Sequence, residues 1–290
     1  MEIKGNNIMI KIGKKHCYLF NGILFIFLFI FQTQVYSLPS SLEPRMRGKK
    51  LVAAHQGGLF DGAPNTIPLF EKARKSGADI IEMDLQISKD GIPMVFHDTE
   101  LDTMTECQGK VSDYTAEELR KCQYTSLIFG KGSVISFEDV LKWNRNRVIL
   151  NVEFKIHEVI PSAIKLVEKY DALGSVYFQT KGDKTRYIEA RFVSTEVELL
   201  FAPGDEETLD WALSLNDEHL LVIELHENLR NPYIISKIQA AGKFASENSW
   251  HWRYDYEFFG TSCDYGFYHL NFDILVTNRP KDCLSERKKH

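Results

Sequence analysis

Eight short apolar runs, separated by longer amphipathic stretches, are the feature that most constrains the fold of this chain. The runs are LVAAH (51–55), DIIEMD (79–84), VILNVEF (148–154), SVYFQ (175–179), VELLFA (197–202), LLVIEL (220–225), KFASEN (243–248) and DILVTN (273–278). They have the length of buried strands, and most of the stretches between them carry apolar residues at helical spacing. Such alternation indicates a parallel sheet with crossover helices. Eight units predict an α/β protein, a closed (β/α)8 TIM barrel with functional residues at the carboxyl ends of its strands.

The interval between the second and third runs is longer than the others. It begins with an additional strand-like segment, IPMVFHD (92–98), and continues with a polar stretch. We therefore expect a small insertion at about residues 98–147, between the second and third core strands. The barrel domain that carries this insertion is expected to span residues 50–290.

The first 37 residues have the pattern of a secretory signal peptide. Four lysines precede the apolar run at residues 17–31, and the small residue Ser37 follows it. The run is shorter than the ~20 residues that a membrane-spanning helix needs. We expect cleavage after Ser37 and a secreted, periplasmic or lumenal protein, with a retained membrane anchor as the alternative. Residues 38–49 are expected to be a linker.

Charge and cysteine usage limit the partners of the expected mature protein. Residues 1–37 carry four Lys and one Glu, so their removal changes the formal net charge from -5 to -8. An acidic protein lacks the basic surface that nucleic acid requires. No Cys or His spacing typical of zinc sites is present. The remaining cysteines can form disulfides, as Cys107 with Cys122 and Cys263 with Cys283, or stay as free buried thiols.

Three acidic residues stand in or at the ends of otherwise apolar runs. Glu82 and Asp84 are two residues apart, so their side chains share one face of a strand, which we expect to be the face toward the barrel axis. Glu153 stands at the end of the third run. Three carboxylates without Cys or His ligands suit a hard divalent cation, Mg²⁺ or Ca²⁺. An ion-pair cluster that includes Lys155 is the alternative.

Two histidines also stand at strand ends. His55 ends the first run, and His97 ends the inserted strand-like segment. Because the ordinary histidine pKa is near ~6.5, the two can exchange protons as a general acid and a general base. Trp250 and Trp252 follow the seventh run and are interpreted either as the wall of a pocket for an alcohol or acyl group or as core residues. The sequence contains no GxSxG, Walker or GxGxxG-to-helix pattern, which argues against serine hydrolases, nucleotide triphosphatases and dinucleotide enzymes.

Together these segments resemble the glycerophosphodiester phosphodiesterase family. The segments that carry the resemblance are HQGG, APNT, GADIIEMDLQISKDGIPMVFHD, EFK and VTNRP, and the likeness is most specific over residues 52–115. The resemblance implies a hydrolase of lipid and glycerol metabolism that cleaves a glycerophosphodiester to sn-glycerol 3-phosphate and an alcohol. It implies that one divalent cation is bound by three carboxylates and that two histidines are the acid/base pair. The carboxylates are Glu82, Asp84 and Glu153, and the histidines are His55 and His97.

The resemblance also defines the expected substrate contacts and three departures from the family pattern, one of which is that the Glu of the family segment PENT has no equivalent in APNT. Gln56, Lys155 and Trp250 are the candidate substrate-binding residues, with Lys155 holding the phosphate. Gln56 replaces an arginine of the family pattern, and Asn278 replaces an aspartate. An amide cannot supply the charged, bidentate phosphate contact of a guanidinium. The alternatives are therefore a lysophospholipase D-type enzyme and a catalytically weakened barrel that binds phosphodiesters or a protein partner. Membrane contact is expected only transiently or through an uncleaved signal, and the oligomeric state stays open.

Overall fold

The expected barrel is present in the computed structural model, which describes residues 42–125, 130–251, 254–255 and 262–290. The strands are β1 (Leu51–Ala54), β2 (Ile80–Ile87), β3 (Pro93–Val95), β4 (Ile135–Ser136), β5 (Ile149–Phe154), β6 (Val176–Gln179), β7 (Glu198–Phe201), β8 (Leu220–Leu225), β9 (Phe244–Asn248), β10 (Trp250–His251), β11 (Tyr254–Asp255) and β12 (Ile274–Thr277). Eight of them pair in parallel in the order β1-β12-β9-β8-β7-β6-β5-β2, and β2 pairs with β1 to close the ring. The (β/α)8 prediction is thus confirmed.

The predicted strands match the observed ones closely, except at one end. Seven of the eight runs agree with a barrel strand to within one residue at each end. The second run continues three residues further than predicted, because Leu85–Ile87 pair in antiparallel fashion with β3. Glu82 and Asp84 therefore lie in the middle of β2 rather than near its end.

Helices alternate with the barrel strands as predicted. They are α1 (Glu43–Met46), α2 (Ile67–Ser76), α3 (Ala116–Leu119), α4 (Phe137–Asn144), α5 (Ile160–Lys169), α6 (Lys184–Val193), α7 (Glu206–Ser214), α8 (Pro232–Ala240), a short turn at Ser262–Asp264 and a last described helix at Pro280–Arg287. Local signals set several of the ends. α2 stops at Ser76 because Gly77 adopts a φ of 98°, which a residue with a side chain rarely does. Asp183 and Asn231 cap the first turns of α6 and α8 with their side-chain oxygens.

Side-chain parity along β2 divides the core into two layers. Ile81, Met83 and Leu85 are buried in the large cluster between strands and helices. Ile80 is buried in a smaller cluster inside the barrel, with residues such as Leu51 and Val276. Glu82 and Asp84 share the inward parity with Ile80, so they lie within the barrel above an apolar floor.

The floor of the barrel includes residues that the sequence placed in a linker. Leu42 and Met46, at the two ends of α1, are fully buried and belong to the cluster inside the barrel. Residues 42–49 are therefore part of the barrel unit and not a linker, because their apolar side chains cover its inner core from below. The rest of the expected linker, residues 38–41, lies outside the described residues.

The insertion has its own small core and is shorter than predicted. Its buried residues are Met94, Phe96, Leu101, Val111, Ala116, Leu119, Cys122, Tyr124 and Val134, together with Ala63 from the first loop. The expected extent, about residues 98–147, includes α4, but α4 is a crossover helix of the barrel because Phe137, Val140 and Leu141 are buried in the large cluster. The insertion ends at Ser136, whose side chain caps α4.

Both candidate cysteine pairs are disulfides, and the alternative of free buried thiols is not observed. Cys107–Cys122 lies within the insertion, with a Cα–Cα distance of 5.5 Å, and Cys263–Cys283 joins the short helical turn to the last described helix. The expected signal peptide, residues 1–37, lies outside the described residues. Within the described ranges, no helix has the length and apolar character needed to cross a bilayer.

Candidate active site

Three carboxylates converge inside the mouth of the barrel. The parallel register of β2 and β5 places Asp84 directly beside Glu153, and Glu82 lies two residues earlier on β2 with the same parity. Each residue offers one carboxylate oxygen such that the three oxygens lie within 4.8 Å of one another. All three residues are at least 95% buried. The convergence predicted from strand parity is thus observed.

Burial makes this cluster costly without a counter-charge. Desolvation, and then the charges of Asp84 and Glu153, raise the pKa of Glu82 well above its ordinary value. A divalent cation would offset both effects with its positive charge, and carboxylate oxygens are the ligands that Mg²⁺ and Ca²⁺ prefer. The three residues therefore fit a hard cation by number, chemistry and spacing.

Two lysines supply part of the counter-charge, so the ion pairs considered as an alternative are also present. Lys155 Nζ lies 3.1 Å from Glu153 Oε1 and 3.7 Å from Asp84 Oδ1. Lys181 Nζ lies 2.9 Å from Glu153 Oε2. Both ammonium groups approach Glu153, and two positive charges do not balance three carboxylates. With all three carboxylates ionised, the two lysines leave the cluster with a net negative charge.

Gln56, which replaces the arginine of the family pattern, is directed at the carboxylates. It adopts a φ of 49°, and its backbone N–H donates to Glu82 Oε2 at 2.8 Å. Its side-chain Nε2 donates to Asp84 Oδ2 at 3.0 Å. Gln56 therefore orients two candidate metal ligands, Glu82 through its backbone and Asp84 through its side chain, while its role in substrate binding stays a prediction.

Asn65 is a site residue that the sequence analysis quoted within APNT but did not assign. Its Nδ2 donates to Asp84 Oδ2 at 3.1 Å, and its backbone N–H donates to the Gln56 carbonyl at 3.0 Å. Asn65 is 99% buried, and its Oδ1 has no hydrogen-bond partner among the residues that the structure describes. Asn65 adopts a φ of 56°, which asparagine tolerates better than most residues. An asparagine at this position was therefore the available sequence signal for a special backbone conformation.

The two predicted histidines both border the site, and each is oriented through Nδ1. His55 Nδ1 lies 2.7 Å from Asn278 Oδ1, so Nδ1–H donates to an amide oxygen; His55 Nε2 lies 3.9 Å from Glu82 Oε2. His97 Nδ1–H donates to the Asp98 carboxylate at 2.6 Å. Burial lowers the pKa of His55 to about 4. Both rings are thus held through Nδ1, and the two partners differ in charge, because His55 contacts an amide and His97 a carboxylate.

Lys181 is a functional candidate that the sequence analysis missed. It lies two residues past the end of β6, at the mouth. Burial lowers the Lys181 pKa, but the carboxylates of Glu224 and Glu153 outweigh it and raise the pKa above its ordinary value. Lys181 is therefore a permanent cation at neutral pH. A lysine just past a predicted strand was the available signal.

One cavity unites these groups, with a volume of about 210 Å³. It is lined by His55, Glu82, Asp84, His97, Glu153, Lys155, Gln179, Lys181 and Asn248. The site thus combines an acidic cluster, two histidines and two lysines, which can hold a cation, bind an anion and transfer protons.

Trp250 contributes backbone to β10, but its side chain, like the whole of Trp252, lies outside the described residues. The proposed tryptophan wall therefore stays a prediction.

Comparisons with known proteins agree on one family. A sequence model of the Glycerophosphoryl diester phosphodiesterase family matches residues 55–200, half of the chain. "Glycerophosphodiester phosphodiesterase 1" of Bos taurus is 37% identical over 108 residues, which are 36% of this chain and 31% of the bovine protein. The chain thus matches about a third of the length of this curated relative.

Solved structures extend the likeness to the whole fold. A glycerophosphoryl diester phosphodiesterase from Parabacteroides distasonis has a TM-score of 0.71 at 18% identity, covering 86% of this chain and 90% of its own. An Oleispira antarctica phosphodiesterase, in complex with the product sn-glycerol-3-phosphate, has a TM-score of 0.66 at 17% identity, covering 82% and 96%. At these identities the structural likeness establishes the fold.

Neutralising one carboxylate should stabilise the metal-free protein. The folded-state pKa of Glu82 lies above its unfolded-state value, so the ionised Glu82 opposes folding increasingly as the pH rises above about 4.5. In EDTA, we expect Glu82→Gln to raise the free energy of unfolding at pH 8 by about 1 kcal/mol or more, and by less at pH 5. Urea denaturation at the two pH values measures the difference.

The matched control is Glu71→Gln. The Arg74 guanidinium donates hydrogen bonds to Glu71 and lowers its pKa to about 2, so neutralising Glu71 should give no gain in stability at pH 8. An equal or lower stability of Glu82→Gln relative to the wild type at pH 8 would contradict the electrostatic account of the cluster.

Proposed function

Since the chain belongs to the glycerophosphoryl diester phosphodiesterase family, we propose that it is a metal-dependent hydrolase that converts glycerophosphodiesters to sn-glycerol 3-phosphate and an alcohol. The observation that carries this proposal is the convergence of three buried carboxylates and two histidines on one cavity. The same product is bound in the related Oleispira antarctica structure, which supports the choice of substrate class.

Glu82, Asp84 and Glu153 hold the cation in this proposal, and the ion is Mg²⁺ or Ca²⁺. When bound, the ion supplies Lewis-acid stabilisation of charge on the phosphate oxygens. The protein supplies the orientation: Gln56 and Asn65 donate to the carboxylates and hold them toward the cavity. Such donors fix the ligand positions before substrate arrives.

The two histidines divide the proton transfers according to their partners. Asp98 is a carboxylate that accepts the His97 Nδ1–H hydrogen bond, so the positive charge that His97 carries as a proton donor is paired, and His97 is the general acid that protonates the departing alcohol. Asn278 is a neutral amide that accepts the His55 Nδ1–H hydrogen bond; burial outweighs this contact and lowers the His55 pKa to about 4, so His55 is the general base. Asn278, which stands where the family pattern has an aspartate, thus positions His55 without adding a negative charge. The proton removed by His55 comes from water or from the neighbouring glycerol hydroxyl; in the second case a cyclic phosphate forms as the alcohol departs, and water then opens it to sn-glycerol 3-phosphate.

Lys155 and Lys181 provide the positive charge for the phosphate. Both side chains line the cavity, and Lys181 is 37% exposed at its mouth. Because the Gln56 amide is directed at Asp84, it does not provide the contact that an arginine would. The two lysines therefore take over the electrostatic part of that contact, and one of them was absent from the sequence-based set.

We also propose that the protein acts outside the reducing cytosol. The basic, apolar and small-residue order of residues 1–37 supports export, with the periplasm, an organelle lumen or the extracellular space as the destination. Two disulfides in the barrel unit support an oxidising compartment.

The direct test of the activity is product formation with controlled metal. We expect glycerophosphocholine to yield sn-glycerol 3-phosphate and choline in the presence of Mg²⁺ or Ca²⁺, and EDTA to lower the rate at least about 100-fold, because the ligands alone do not stabilise the transition state. Asp84→Asn should abolish both the activity and the thermal stabilisation by added metal. Glu224→Gln, at a buried carboxylate outside the triad, is the control and should keep the metal-induced shift. Hydrolysis of no phosphodiester under any metal condition would leave the weakened, binding-only barrel as the surviving interpretation.

The assignment of His97 as the acid is testable through the leaving group. We expect His97→Asn to lose about 10²–10⁴-fold in rate on glycerophosphocholine, whose alkoxide needs a proton to depart. The loss should be below tenfold on the p-nitrophenyl diester of glycerol 3-phosphate, because p-nitrophenolate departs without protonation. His55→Asn is the matched control and should lose similar activity on both substrates. Equal losses on both substrates in His97→Asn would remove the acid role from His97.

A further inference from the structure

A second cavity adjoins the candidate active site and has a different character. Its volume is about 180 Å³. It is lined by Gln56, Leu59, Pro64, Asn65, Phe96, His97, Asp98, Met104 and Tyr124. His97 lines both cavities, so the second one begins at the proposed general acid. Five of its nine lining residues are apolar or aromatic, whereas the first cavity is lined by charged and polar side chains.

The walls of this apolar cleft are firmly held by the insertion. The Phe96 and Tyr124 ring centroids lie 6.2 Å apart, and both residues are buried in the core of the insertion. The segments that carry Met104 and Tyr124 are joined by a hydrogen bond from Thr125 N–H to the Met104 carbonyl at 3.1 Å. The disulfide Cys107–Cys122 links the same two segments. A preformed wall of this kind costs little ordering free energy when a ligand binds.

One polar atom at the cleft also points to a ligand. Asn65 Oδ1 is buried and has no partner within the described parts of the chain, while the other amide atom of Asn65 is held by Asp84. A buried acceptor without a donor is costly unless a ligand or water supplies the donor. A glycerol hydroxyl of a bound substrate would satisfy Oδ1 and leave the apolar walls to an attached alkyl chain.

We propose that this cleft binds an unbranched alkyl chain of the substrate, so that the preferred phosphodiesters are amphiphilic rather than fully water-soluble. The proposal rests on the phosphodiesterase function proposed above and specifies its substrate class. Burial of alkyl groups against Leu59, Phe96 and Met104 provides the binding free energy. An apolar cavity of ~150 Å³ accommodates benzene, so the cleft accommodates about six carbons. The chain belongs either to the leaving alcohol or to an acyl group on the glycerol.

A chain-length series on the wild-type protein tests the proposal and distinguishes the two sources. In one arm, sn-glycerol 3-phosphate is esterified to methanol, butanol, hexanol or decanol. In the other arm, glycerophosphocholine is compared with lysophosphatidylcholines of increasing acyl length, below their critical micelle concentrations. We expect kcat/KM to rise about fourfold per methylene, as for burial of a CH₂ group, and to level off near six carbons in one arm.

Variants locate the effect in the cleft. Met104→Gln keeps a similar shape but adds polarity, so we expect the hexyl-to-methyl ratio of kcat/KM to fall at least fivefold. Leu215→Gln is the matched control, because Leu215 is an apolar residue on the outside of the barrel with 39% exposure. It should keep both the ratio and the basal activity. Thermal unfolding of each variant checks that it is folded.

The outcomes separate this inference from the function on which it rests. Turnover of the methyl ester and of glycerophosphocholine without any gain from longer chains would overturn the cleft proposal and leave the phosphodiesterase function intact. A gain that is unchanged in Met104→Gln would also overturn it, since the chain would then bind elsewhere. Absence of turnover for every substrate, with Mg²⁺ or Ca²⁺ present, would refute the phosphodiesterase function, and the cleft proposal with it.

Discussion

Mutual repulsion among three buried carboxylates is the constraint around which the mouth of this barrel is built. Glu82 and Asp84 lie on β2 and Glu153 lies on the adjacent β5, so the parallel register brings the three negative charges together. The surrounding polar groups offset part of that charge. Gln56 and Asn65 donate hydrogen bonds, and two lysines approach as cations. These contacts offset part of the repulsion among the carboxylates, and the negative charge that remains favours a divalent cation.

Two residues that depart from the family pattern, Gln56 and Asn278, still make polar contacts that hold the candidate site. Gln56, in place of arginine, donates to Asp84 through its side-chain amide and to Glu82 through its backbone N–H. Asn278 in place of aspartate keeps His55 oriented through Nδ1. The proton-transfer roles that we propose for the two histidines rest on the difference between an amide partner and a carboxylate partner.

Strand periodicity was sufficient to predict the barrel and the convergence of the carboxylates, because parity and parallel register are local consequences of the sequence. Contacts made between loops were out of reach of the same reasoning. Asp84, which accepts from Asn65, lies 19 residues away on β2. Lys181, one of the two lysines that pair with Glu153, follows the next strand, β6. The burial of Leu42 and Met46 also depends on a cavity that exists only once the barrel has closed. The end of the insertion was misplaced because the amphipathic pattern of α4 follows a polar segment without a break in composition.

The central claim is that these three carboxylates bind one divalent cation, and its most direct test is a crystal structure of the protein grown with Ca²⁺, with anomalous scattering used to locate the ion. The account predicts a single strong peak at the mouth, with oxygens of Glu82, Asp84 and Glu153 each at about 2.3–2.6 Å. Contradiction would come from a carboxylate cluster without a peak and with the Lys155 and Lys181 ammonium groups still paired to Glu153. That result would define the cluster as an ion-pair network.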